Sequence, residues 1–187
     1  ALRAARAHRG LDKILKFEGG FHGMHDYGLM SVSPAEPLDF PAPTADSIGI
    51  PAAVLDEVLI APFNDIETTT AIIERHHQEL AGVIIEPLQR VLAPVPGFLQ
   101  GLREVTSQYG VPLIFDEIVT GFRFAYGGAQ EYYGVVPDLC TLGKAVAGGF
   151  PLAAVAGSAE IMDHFAAGGP GHGFIMQEGT LNGNPIA

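Results

Sequence analysis

The sequence predicts an α/β domain, a mostly parallel β-sheet flanked by helices. Three observations carry this expectation. Short, nearly continuous apolar runs recur at 82–86 (GVIIE), 111–116 (VPLIFD), 139–142 (LCTL) and 153–156 (AAVA). Runs of that length and continuity suit strands buried on both faces. Helical patterns separate them, as parallel neighbours require. Three of the runs end at or beside a charged residue, namely Glu86, Asp116 and Lys144. Open α/β sheets bind ligands at the carboxyl ends of their strands, and an unpaired charge buried there is costly. The three side chains are therefore expected to converge on a ligand.

In chain order, a helical pattern opens the sequence and stops at Gly10, a residue suited to the left-handed position after a helix. Residues 13–18 (KILKFE) read as a strand, and 19–28 as a Gly- and His-rich loop. The stretch 31–53 is rich in Pro, Ser and Ala, has no sustained period and reads as a surface excursion. A strand is expected at 57–61. Asp65 should cap a helix that runs to about Leu80 with Ile66, Ile72 and Ile73 buried. A helix at 98–109 should close at Gly110, and another should start at Ser158. No repeat or linker divides the chain.

The chain has 187 residues, 48% of them hydrophobic and 17% charged, which suffices for a buried core and argues against disorder. A net charge of −11 disfavours nucleic acid or an anionic membrane as partner. The longest weakly polar run, 145–159, is interrupted by Gly148, Gly149 and Pro151 and is too short to cross a bilayer. One cysteine, Cys140, cannot form an internal disulfide, so nothing points to an oxidising compartment. The sequence opens inside a helical pattern without Met and stops just after Pro185. It is read as an excerpt of a longer protein, a single partial domain over residues 1–187.

Lys144 lies between Leu142-Gly143 and Ala145, an apolar, Gly-rich setting that tends to desolvate an amine and free it for Schiff-base formation. A lysine that snorkels to solvent fits the same residues. Asp116 could hold a pyridinium nitrogen, serve as the aspartate of an ATPase, or cap the following turn. The ATPase needs a GxxxxGK[ST] loop, whereas Gly143-Lys144 is followed by Ala145. His22, His25 and Asp26 cluster without an evident third metal ligand, and no metal is expected. The turn at 179–185 offers backbone donors and a hydroxyl suited to a phosphate.

With these residues in view, the sequence resembles the class III, fold type I aminotransferases that use pyridoxal 5′-phosphate (PLP). It is nearest the branch of glutamate-1-semialdehyde 2,1-aminomutase. The likeness covers the whole chain. It rests on Lys16-Phe17-Glu18-Gly19-Gly20-Phe21-His22-Gly23, Ile84-Ile85-Glu86-Pro87 and the stretch from Leu113 through Asp116-Glu117 to Arg123. It rests also on Tyr132-Tyr133-Gly134, Leu142-Gly143-Lys144 and Gly179-Thr180-Leu181-Asn182-Gly183-Asn184-Pro185.

The resemblance implies that Lys144 forms the Schiff base and shuttles a proton, and that Asp116 partners the ring nitrogen. Ile118 would pack on one face of the ring and Phe21 on the other, with His22 beside it. Thr180 would reach the phosphate of a neighbouring subunit's cofactor. It implies a cytoplasmic homodimer acting on an amino donor and a carbonyl acceptor, with Glu86 near the pocket but without a defined task. The chain would be the central part of the large PLP-binding domain. The main phosphate loop, the N-terminal segment and the small C-terminal domain would lie outside it, and the excerpt alone is expected to be inactive.

Val119 stands where many ω-amino-acid transaminases carry Gln. Leu88-Gln89-Arg90-Val91 stands where the aminomutase usually has a Gly-Asn pair, the following loop is shorter, and the segment 168–177 is longer. These departures favour an aminotransferase over the mutase. Arg90 could bind a substrate carboxylate, though a surface arginine explains it better. A catalytically silent interaction protein of this fold would have lost the lysine or the aspartate, and both are present.

Overall fold

The computed structural model describes residues 1–36, 39–166 and 173–186. The expected longer segment 168–177 therefore lies partly outside the described residues. Six strands form one sheet: β1 (Lys13–Phe17), β2 (Val58–Ala61), β3 (Leu80–Ile85), β4 (Leu113–Glu117), β5 (Leu139–Leu142) and β6 (Ala154–Gly157). Their spatial order is β2-β1-β3-β4-β5-β6, and every pair is parallel except β5 with β6. The α/β class read from the sequence is correct.

The apolar runs are continuous because both faces of the sheet are covered. Successive side chains alternate between those faces. Leu15, Phe17, Val83, Ile85, Leu113 and Phe115 pack beneath α3 (Ile66–His76) and α4 (Phe98–Gln108). On the opposite face Ile84, Ile114 and Leu139 meet α1 (Leu2–Arg9) and α6 (Ala159–Met162). Each fully buried Leu, Ile or Phe contributes roughly 2 kcal/mol of transfer free energy. Among the described residues, no helix is long and apolar enough to cross a membrane.

Two expectations shift. The α3 helix begins as read, with Asp65 accepting the Thr68 N–H at 2.9 Å. It ends at His76 rather than near Leu80, because Leu80 is the first residue of β3, fully buried and paired with Lys13. Pairing with β1 is a long-range contact that outweighs the local helical period. The last strand is antiparallel and largely exposed. Only a short 3₁₀ turn at Lys144–Ala147 interrupts the path from β5 to β6, and a parallel return needs a longer crossover. Two short helices, α2 (Ala52–Leu55) and α5 (Gly128–Tyr133), gave no periodic signal in the sequence.

The excursion after β1 is tied back to the sheet by an unusual residue. Lys16 is fully buried on β1 and donates its Nζ to the Met30 carbonyl. Burial pushes its ammonium down to about 8, against opposing pulls from Asp46 and Glu86. The folded value lies below the unfolded one. The charged form therefore costs stability below about pH 8, and that cost is relieved as pH rises towards the unfolded value. Denaturant unfolding of wild type and Lys16→Met from about pH 7 to about pH 10 should show wild type gaining on the variant by on the order of 2 kcal/mol. A difference that stays flat with pH would refute the assignment.

Candidate active site

The carboxyl ends of β1, β3, β4 and β5 open into one cleft of about 990 Å³. Phe21, His22, Glu86, Asp116, Ile118 and Lys144 all line it. Five of the six residues expected to serve a cofactor are thus brought together. The sixth, Thr180, is exposed and does not itself line the cleft, although Asn182 of the same turn does.

Asp116 is the best-held group. It is 8% exposed near the end of β4. Its Oδ2 accepts from His22 Nδ1 at 2.8 Å, and its Oδ1 accepts from Thr141 Oγ1 at 3.0 Å and from the Ile118 N–H at 3.2 Å. The strands bring two of these partners into place. Register pairs Asp116 with Thr141 on β5, and the loop after β1 delivers His22. Burial pushes the Asp116 carboxyl up, but the bonds and charge of His22, with Ile118 and Thr141, outweigh it and hold the carboxyl below its ordinary value. An ionised carboxylate therefore faces the cleft. With Nδ1 donating to Asp116, the buried Nε2 of His22 has no partner among the described residues. Thr141 was missed in the sequence, where it is one hydroxyl in an apolar run.

Lys144 lies one residue past β5, after Gly143, at the start of the 3₁₀ turn, with φ of 45°. That left-handed backbone is uncommon for a residue with a side chain and tends to occur at functional positions. The apolar setting had suggested a desolvated amine, but Lys144 is exposed along the open cleft. Gly143 is needed by a close approach. A Cβ there would lie 2.9 Å from Ile118 Cδ1, so a larger residue would displace Ile118 from the cleft wall.

Glu86 lies just past β3 and is 7% exposed. Its Oε2 accepts the Phe21 N–H at 2.9 Å. Burial raises its pKa, opposed chiefly by that bond. Phe21 itself is 42% exposed and lines the cleft. Arg90 is exposed, does not line the cleft and donates to the Val32 carbonyl at 3.4 Å, which suits a surface arginine. Glu117 turns away from the cleft. It is fully buried and accepts from Thr120, the Ala129 and Gln130 N–H groups and the Gln130 side chain, tying β4 to α5.

Residues 1–187 match the family described as aminotransferase class-III. A glutamate-1-semialdehyde 2,1-aminomutase of Pelotomaculum thermopropionicum is 48% identical over 190 residues, covering 100% of this chain and 42% of that protein. An omega-transaminase from Sphaerobacter thermophilus superposes with a TM-score of 0.91 at 46% identity, over 99% of this chain and 43% of that one. A transaminase with PLP bound superposes with a TM-score of 0.87 at 32% identity, over 99% and 43%. The chain spans less than half the length of the relatives it matches.

Proposed function

The chain belongs to the class III aminotransferase family, and from that premise we propose that the full-length protein is a PLP-dependent aminotransferase. It moves an amino group between an amino compound and a keto acid or aldehyde. The observation that carries the reading is a buried, ionised Asp116 opening on the same cleft as Lys144, with Phe21 and Ile118 also lining it.

These residues fit PLP on chemical grounds. The Asp116 carboxylate, fixed by three hydrogen bonds, can hold a proton on a ring nitrogen. The Phe21 ring and the branched Ile118 chain offer two apolar surfaces for a flat heterocycle. Bound PLP would act as the electron sink for the carbanion formed at the amine-bearing carbon. Lys144 Nζ would hold the cofactor covalently until the incoming amino donor displaces it, and the freed amine would then take the proton from that carbon. His22 would keep the Asp116 carboxylate oriented, and Phe21 and Ile118 would exclude water from the ring. The solved relative with PLP bound supports the same cofactor.

A homodimer in the cytoplasm completes the reading. In this reading Thr180, exposed on the turn whose Asn182 lines the cleft, would reach the phosphate of a second copy's cofactor.

A mutase returning nitrogen to another carbon of the same molecule is the second reading, favoured by the 48% identity to a named aminomutase. The two separate in one assay of the full-length protein. An aminotransferase requires a separate carbonyl acceptor for sustained turnover. Formation of 5-aminolevulinate from glutamate-1-semialdehyde with no acceptor present would establish the mutase instead.

A further inference from the structure

Glu86 is buried at a strand end, lines the cleft and has no role in the proton transfers above. Its one hydrogen bond goes to the main chain of Phe21 at 2.9 Å. That bond is the only one recorded for the Phe21 backbone among the described residues. Phe21 is half-exposed, and among the described residues its ring pairs with no other aromatic. The flanking loop is gripped nearby. Gln89 Nε2, on the turn after β3, donates to the Glu18 carbonyl at 2.8 Å, and the Gly19 N–H donates to the Ser31 carbonyl at 2.8 Å. His22 is held separately, through Asp116 on β4. The tip of β3 thus sets the backbone from which Phe21 projects, while β4 sets its neighbour.

We infer that Glu86 is a positioning residue, which fixes the Phe21 backbone so that the ring lies flat against the cofactor. The inference rests on the PLP reading above. What matters is the acceptor oxygen aimed at the Phe21 N–H. A glutamine, whose side-chain carbonyl offers the same acceptor, should substitute. A leucine of similar volume leaves this part-buried N–H without its acceptor, at a cost that corresponds to roughly a tenfold change in an equilibrium.

The test uses the full-length protein, PLP titration followed by absorbance, and the visible circular dichroism of the bound cofactor. Glu86→Leu should weaken PLP binding roughly tenfold and at least halve the dichroic band, while Glu86→Gln stays within about threefold of wild type. Phe21→Ala alone should also weaken binding. In the double variant, Glu86→Leu should add less than about threefold to the Phe21→Ala loss, because one residue acts through the other. A purely structural glutamate predicts losses that multiply, and multiplication overturns the inference. So does wild-type binding by Glu86→Leu, or a loss in Glu86→Gln as large as the leucine loss. If Glu86→Leu fails to fold, the glutamine variant alone decides: retained affinity and dichroism uphold the acceptor role, and their loss overturns it. Failure of the wild-type protein to bind PLP would instead remove the cofactor reading, a distinguishable outcome.

Discussion

Replacing Lys144 with alanine is expected to reduce amino transfer by the full-length protein by roughly 10⁴-fold or more, the upper range for loss of a positioned proton-transfer group. Among the described residues no other lysine lines the cleft. The backbone adds to the argument. Residue 144 holds a left-handed conformation one residue after β5, and it lines the cleft. Lys144→Arg keeps the charge but cannot form the covalent link, and should be nearly as inactive. An added small primary amine should restore part of the Lys144→Ala activity, because it can move the proton from solution. Single-turnover kinetics with an amino donor would check both outcomes. Activity of Lys144→Ala within tenfold of wild type would be incompatible with the assignment.

Asp116→Ala carries the second largest expected effect, a fall on the order of 10³-fold in turnover together with weaker cofactor binding. Its carboxylate is kept ionised against the pull of burial by three hydrogen bonds, an arrangement that stores a charge facing the cleft. Asp116→Asn should lose nearly as much, because an amide cannot keep a ring nitrogen protonated. His22→Ala removes one bond of the three and should cost far less, about tenfold. That ordering can be read from steady-state kinetics with absorbance titration of PLP. A His22 loss equal to the Asp116 loss would move the ring-nitrogen role to the histidine.

Much of this architecture could be read before any coordinates. Runs such as 82–85 and 113–115 are unbroken because helices cover both faces of the sheet, so strand and burial appear together in the sequence. Lys144 and Asp116 stood out because a charge at the end of such a run is expensive without a partner. What the sequence withheld depends on long-range neighbours. The end of α3 was set by β3 pairing with β1 rather than by its own period. The antiparallel turn of β6 followed from a connection too short to cross over. Thr141 is an ordinary strand residue until β5 pairs with β4 and puts its hydroxyl on Asp116. The task of Glu86 was hidden for the same reason, since Phe21 is 65 residues away in the chain.

Borohydride reduction of the PLP-loaded full-length protein, followed by peptide mapping, tests the central claim most directly. A lysine covalently joined to the cofactor should be trapped as a stable pyridoxyl-lysine on the peptide containing Lys144, with no other lysine labelled. Label on Lys13 or Lys16, or no label under conditions where PLP is bound, would contradict the account.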